Sequence, residues 1–338
     1  MNRSVISKPP RGRRNIANAT GAVLTNNGQI RIDLNKDFLN PSHQINVGVS
    51  QTWGTNAPTS SDVRRFFSKI ELVSNEGTIY SVDFHQFYDQ ARFTKGFPGS
   101  PVVALGAGGG AAATAQFGVS LHHSNDGATL DLLTALQSGR FSTLAIVLTV
   151  SPDASNGFIG GSGTVGAAAY TVSVDSGDHP HMTGNTKEGR EKIIYGHARH
   201  WYKQMKEVSS ASAAASNQEV LLETGGRVRL IVFHSYNTTA AIPVLANGIV
   251  DKVSLSVKGF DYLGAVNFVN LQQENVNRRN FNQTGVAVLD MGEDPRGWIP
   301  LEDVSEAKLK YSTLSTAPAG WKVTVAMDFT TGLQRLGL

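Results

Sequence analysis

At 338 residues the chain is long enough for two domains with separate cores. Charged residues make up only 17% and glycine contributes 35 residues, which favours many short strands and tight turns over helical bundles. The absence of cysteine excludes a disulfide framework, a thiol nucleophile and a cysteine metal site, and a net charge of +3 is too mild to argue for nucleic acid by itself.

No apolar run reaches the roughly 18 residues of a membrane span, and the N-terminus lacks the apolar centre of a signal peptide. Residues 1–20 read as a basic arm: Arg3, Lys8, Arg11, Arg13 and Arg14 fall in the first 14 residues with no acid among them. Pro9 and Pro10 keep this stretch out of a helix or a central strand. Two readings stand, a solvated terminus or an arm that neutralises phosphates on lipid or nucleic acid.

Gln29 to Leu34 is the first clear strand, and Ile45 to Gln51 alternates again after the turn Asn40-Pro41-Ser42. Ser61 and Asp62 are positioned to cap one helical turn through Phe66. From Phe67, Ile70 and Leu72 alternate with Lys69 and Glu71, the period of a half-buried strand. Asn75-Glu76-Gly77 is a turn in which Gly77 supplies positive φ. A second strand starts at Thr78, and Val82, Phe84, Phe87, Tyr88 and Ala91 then move to helical spacing. Residues 97–115 are low in complexity. Their glycines lack the strand and helix frame of a phosphate-binding loop, so a surface loop is expected. A short strand at Val119 to His122, a short helix at Asp126 to Leu136, and an apolar strand at Thr143 to Val150 follow, with Tyr170 to Val174 as the last strand's hairpin partner.

Three phrases return later in the same order. Gly28 to Leu34 matches Gly226 to Val232, Val82-Asp83-Phe84 matches Val266-Asn267-Phe268, and Gln116 to Leu121 matches Gln283 to Val288. The chain reads as one β-rich domain written twice, at 21–177 and 219–338. Residues 178–218, without a counterpart, read as a helical linker, because Ile194, Ala198, Trp201, Met205 and Val208 are spaced by three or four. Burial is expected for Ile194, Trp201 and Met205, although Gly189 and Gly196 each cost such a helix about 1 kcal/mol. In the second domain, strands are expected at Arg227 to Phe233, Asp251 to Val257, Ala265 to Gln272 and Gly285 to Leu289. Lys308 to Leu314 and Trp321 to Phe329 read as a closing hairpin.

Catalytic and metal motifs are not found. His122 with His123, His179 with His181, and His197 with His200 have no glutamate in a His-Glu-x-x-His frame, there is no nucleophile elbow, and Asp175 with Asp178 sits in a turn-like stretch. The sequence supplies no catalytic residue, cofactor or metal site.

The run from Phe66 through Ile79, with Phe87-Tyr88-Asp89 and Phe93, resembles the double jelly-roll major capsid proteins of tailless, membrane-containing icosahedral phages. Corticoviruses and finnlakeviruses are nearest in size, and tectiviruses are larger cousins. The resemblance is strongest over about residues 25–95, and residues 178–215 do not match the family pattern. It implies an all-β chain of two tandem jelly-roll barrels with short helices. It also implies a non-enzymatic virion protein forming a pseudo-hexagonal homotrimer, with neighbouring capsomers, penton or spike and minor capsid proteins as partners, assembled in the host cytoplasm. The basic arm would face an internal lipid membrane, with possible non-specific genome contact. The competing class is a virion spike or a carbohydrate- or receptor-binding β-sandwich, using Trp53, Trp298 and Trp321 on its loops.

Overall fold

The computed structural model describes residues 12–21, 27–34, 39–40, 42–52, 67–95, 102–104, 112–122, 135–151, 168–178, 182–185, 191–194, 199–210, 218–239, 243–292 and 297–331. The first half contains strands β1 (Gly12–Gly21), β2 (Gln29–Asp33), β3 (Leu39–Asn40), β4 (Ser42–Thr52), β5 (Phe67–Ser74) and β6 (Gly77–Asp83), then helix α1 (Phe84–Lys95). It continues with β7 (Val102–Ala104), β8 (Ala112–His122), β9 (Leu136–Gln137), β10 (Leu144–Val150) and β11 (Ala168–Asp178). Between the halves lie β12 (Met182–Asn185) and β13 (Glu191–Ile194). The second half holds β14 (Arg199–Ser210), β15 (Gln218–Leu221), β16 (Arg227–Asn237), β17 (Val244–Leu245), β18 (Val250–Val257), β19 (Phe260–Asn267), helix α2 (Phe268–Arg279), β20 (Val286–Asp290), β21 (Ile299–Pro300), β22 (Ala307–Thr313) and β23 (Trp321–Thr331).

The pairings form two barrels of one plan. In the first, β1-β11-β4-β8 faces β2-β10-β5-β6; in the second, β14-β23-β16-β20 faces β15-β22-β18-β19. Numbering the principal strands of each barrel one to eight gives the orders 1-8-3-6 and 2-7-4-5 twice, the connectivity of a jelly roll. The expected duplication is therefore present in the topology. Val82-Asp83-Phe84 and Val266-Asn267-Phe268 both lead from the fifth strand into a 12-residue helix, and Gln116 to Leu121 and Gln283 to Val288 both bear on the sixth strand. The remaining echo fails: Gly28 to Leu34 carries the second strand of its barrel, whereas Gly226 to Val232 enters the third.

Local chemistry explains the regular pieces. β5 and β22 alternate buried and partly exposed residues along their length, as half-buried strands do. The two fifth strands are entered through tight turns: Gly77 takes φ 119°, and Lys258 and Gly259 take φ 51° and 78°, the paired positive angles of a two-residue hairpin. Inside the first barrel Ile30, Ile32, Ile45, Val47, Phe67, Ile70, Leu72 and Phe84 meet; inside the second, Val253, Leu255, Phe268, Leu309, Trp321, Val323 and Val325 do.

Several expectations are corrected. The described residues of the linker are strands rather than helix. Residues 182–185 and 191–194 form a small antiparallel pair, and 199–210 form β14, which pairs with β23 from Arg199↔Thr331 to Ser210↔Trp321. The register shifts between Gln204 and Lys206, so Met205 is a bulge; the extra residue breaks the period of two and imitates helical spacing. The second barrel accordingly begins at β14 rather than at residue 219. The side chains of Ile194, Trp201 and Met205 lie outside the described residues. The basic arm also ends sooner than expected, because Arg13 and Arg14 are on β1, paired with Gly177 and Ser176; Arg3, Lys8 and Arg11 lie outside the described residues. β10 and β11 are not a hairpin, nor are β22 and β23. In each pair the two strands join opposite sheets, as the jelly-roll crossing requires. Residues 265–272 are divided between β19 and α2. The helical turn expected around 61–66, residues 126–134 of the helix expected over 126–136, and Trp53 lie outside the described residues, and the end of that expected helix is corrected, because Leu136 is on β9.

His43 on β4 is fully buried, and burial lowers its pKa to about 3 from the ordinary 6.5. A neutral histidine in the folded state and a protonated one in the unfolded chain make stability fall with acid across that window, by about 1.4 kcal/mol per pH unit at most. Denaturant unfolding between pH 7 and pH 4 should show this limb, and His43→Leu should flatten it. In the same assay, Phe84→Ala and Phe268→Ala should each cost about 3–5 kcal/mol, since both rings are buried at equivalent places.

Candidate assembly interface

β16 and β23 are buried along nearly their whole length, with patterns that alternate between two cores rather than between core and water. Ile231, Phe233, Val323, Val325 and Met327 point into the second barrel, while Leu230, Val232 and Ala326 belong to the first hydrophobic cluster. The second barrel's β14-β23-β16-β20 sheet is therefore covered on its outward face by the first barrel, through α1.

That outward face is also polar. His234, Thr324, Asp328 and Thr330 are all buried there, and α1 answers with Gln86, Asp89 and Gln90, also buried. Gln86 Nε2 donates to Thr324 Oγ1, and Gln90 Nε2 donates to Asp328 Oδ2 at 3.0 Å. His234 Nε2 lies 3.0 Å from Asp89 Oδ2, with both side chains fully buried. At the end of the helix, Phe93 packs edge-on to Phe281 at 5.4 Å. Arg92 lies over Phe281, donating to Gln283 Oε1 at 3.4 Å, and Arg279 lies over Phe93. The backbone completes the junction: β6 pairs in parallel with β14 through Ser81↔Lys203, joining one sheet of each barrel into a single ten-stranded sheet. Asp89, Phe93 and Gln283 stand in phrases noted in the sequence, but none of the seam residues was assigned to a contact between barrels. The available signal was that residues 84–91, at helical spacing, contain no lysine or glutamate for a water-facing side.

The matching elements of the second barrel are bare. Among the described residues the exposed large hydrophobic side chains are Leu221, Val244, Phe260, Tyr262 and Val269, and the last three lie on β19 and the first turn of α2. Trp298 and Trp321 are 2% and 0% exposed, which removes them as candidates for a sugar-binding surface. Trp298 instead anchors a loop, donating from Nε1 to the Gly292 carbonyl at 3.0 Å. Among the described residues no three His, Asp or Glu side chains converge as a metal site requires.

Two barrels of one connectivity, joined through a buried helix, match known architectures over nearly the whole chain. The STIV major capsid protein aligns over 95% of this chain and 97% of its own, with a TM-score of 0.68 and 12% identity. The PBCV-1 virus capsid structure aligns over 97% and 96%, with a TM-score of 0.62 and 12% identity. The major capsid protein P2 of bacteriophage PM2 aligns over 96% and 98%, with a TM-score of 0.55 and 11% identity. This chain has the double jelly-roll capsid fold. No protein-family model and no curated protein sequence matches it; at such identities the fold is what is shared.

Within that double jelly roll the Asp89–His234 contact should be worth more than an exposed pair. Asp89→Ala or His234→Ala strands a buried polar partner and should cost about 1–3 kcal/mol. The double variant should cost less than the sum of the two single losses in a denaturant-based cycle.

Proposed function

We propose that this chain is the major capsid protein of a tailless icosahedral phage, that it builds the shell as pseudo-hexagonal homotrimers, and that it is not an enzyme. The observation that supports this reading is the fold match. It runs over at least 95% of the chain and covers both barrels together, and the matched proteins are capsid proteins that span the same length. Two equal barrels per chain and three chains give six barrels around an axis, an outline suited to six-coordinated positions in a shell. Penton or spike and minor capsid proteins would complete the particle, which belongs to the virion after assembly in the host cytoplasm. A spike or carbohydrate-binding role is the weaker reading, since the tryptophans it would use among the described residues are buried.

The basic arm fits the inner surface of such a shell. Arg3, Lys8 and Arg11 precede β1, and Arg13 and Arg14 lie on its first turns of strand. They are assigned to anionic lipid of an internal membrane or to the genome. Each contact is screened over about 8 Å at physiological salt, but many copies on one shell act together.

Purified protein should sediment at three times its 36.1 kDa and form hexagonally packed arrays in electron micrographs. A monomer at every concentration would refute the capsid reading. Removing residues 1–11 leaves β1 intact, so the truncated protein should keep its thermal stability and oligomeric state while losing salt-sensitive binding to vesicles containing phosphatidylserine. Unchanged vesicle and nucleic-acid binding would make the arm a passive tail.

A further inference from the structure

Both barrels stand the same way up, and the pairings tell which turns share an end. In the first barrel, Leu34 N donates to the Leu144 carbonyl and Asn75 N to the Thr143 carbonyl. β4, which follows β2 by way of β3, begins beside the end of β11 with His43↔Ser176. The turn before β6 therefore lies at the end where β1 begins, with Gly12↔Asp178. In the second barrel, Val257 closes the β18–β19 turn with Phe260 and pairs with Ala307, whose carbonyl accepts from Leu222 N. The chain then returns through Gly226, against the Thr330 carbonyl, to the end where β14 begins with Arg199↔Thr331. β6 and β14 run parallel and bridge through Ser81 and Lys203, the fifth residue of each, so these two ends are one end of the molecule.

The rim of the second barrel at that end is apolar. Among the described residues Leu221, Phe260 and Tyr262 are exposed there by 62%, 78% and 49%. Leu221↔Lys308, Lys308↔Ser256 and Ser256↔Asp261 run in register across β15, β22, β18 and β19. Three strand spacings of about 4.8 Å make this an arc roughly 14 Å wide. The fold does not require a ring at its tip. Where Phe260 closes the turn opposite Val257, Gly77 closes the first barrel's turn opposite Ser74, and the neighbouring Glu76 holds Arg140 at 3.3 Å on the surface. The charges around the apolar arc are largely compensated. Glu302 holds Arg227 at 2.7 Å, Glu306 holds Lys308 at 2.6 Å, and Glu219 lies 3.6 Å from Lys310. Lys258 and Asp261, on either side of Phe260, carry opposite charges. The cations of this end come instead from the arm. Arg13 and Arg14 pair with Gly177 and Ser176 at the start of β1, and Arg3, Lys8 and Arg11 precede them in the chain.

We propose that the rim of Leu221, Phe260 and Tyr262 rests in the headgroup layer of a phospholipid bilayer, with Phe260 reaching the acyl boundary, while the arm beside it contacts lipid phosphates. An apolar edge with a basic segment at its side supplies the two signals that hold a protein on a membrane without spanning it. A nucleic-acid duplex offers phosphates to the arm but no apolar layer to the rim, so the exposed ring favours lipid. This rests on the membrane-facing part of the capsid reading and adds to it the residues that enter the lipid.

The chain contains no cysteine, so one introduced thiol takes one label. Full-length protein carrying Phe260→Cys, and separately Thr239→Cys, is labelled with an environment-sensitive fluorophore and mixed with phosphatidylcholine vesicles containing phosphatidylserine. Thr239 is exposed just past Asn237, which pairs with Trp321 at the opposite end of β23, and serves as the control. The expected result is a blue-shifted emission at position 260, quenched by brominated lipid, and no change at position 239. Vesicle binding with the label at 260 still in water would overturn the rim contact and leave the arm's lipid contact standing; no vesicle binding at all would overturn both. A blue shift at 260 before vesicles are added would show that another copy covers the rim, and would also overturn the proposal. The unlabelled Phe260→Ser variant should keep its circular dichroism spectrum, because the ring it removes is in water. Its vesicle partition coefficient should fall about tenfold, the order expected when one aromatic side chain leaves an apolar layer. That loss should persist at high salt, where the arm's contacts are screened; an unchanged partition coefficient would overturn the proposal.

Discussion

A sheet with no solvent face governs this molecule. Once β16 and β23 are covered on both sides, every side chain on them must be apolar or hydrogen-bonded, because a buried polar group without a partner costs about 1–3 kcal/mol. The outward face carries His234, Thr324 and Asp328, so α1 has to bring Gln86, Asp89 and Gln90 in a fixed register. Apolar contacts alone would tolerate sliding of one barrel over the other. Three spaced polar pairs do not, and they set the relative placement of the barrels to within hydrogen-bond tolerance. The parallel bridge between β6 and β14 adds a backbone constraint at the edge of the same surface.

Duplication and divergence are both visible in that constraint. The connectivity of the two barrels is the same, and so is the placement of a 12-residue helix after the fifth strand. The helices differ in how they are used. α1 is buried almost all round, whereas α2 buries Phe268, Leu271 and Asn275 on one side and leaves Val269, Asn270 and Gln273 in solvent. Asn275 joins the fold directly, bonding the Val288 backbone in both directions at 2.7 and 2.8 Å.

Much of the architecture was legible in the residues. Alternation marked β5, β22 and β23, an apolar run marked β10, and the paired phrases around Phe84 and Phe268 marked the repeat. Sequence neighbours were wrongly paired, because proximity favours hairpins and nothing local tells a seventh strand that it will cross to the opposite sheet. β14 was hidden in part by the register shift at Met205, because one inserted residue interrupts the period-two pairing of the strand. The seam was hidden for another reason. Hydrogen-bonded polar residues in a buried helix have the same letters as solvated ones, and their partners on β16 and β23 lie up to 238 positions away in the chain.

The covalent route between the barrels is a different matter from the seam. Among the described residues between Asp178 and Arg199 stands the short β12–β13 pair, while the cohesion of the halves resides in α1, β16 and β23. Peptide continuity thus serves mainly to keep the two halves at high mutual concentration during synthesis. Severed there, they would behave as complementary fragments, each carrying one side of a ready-made lock.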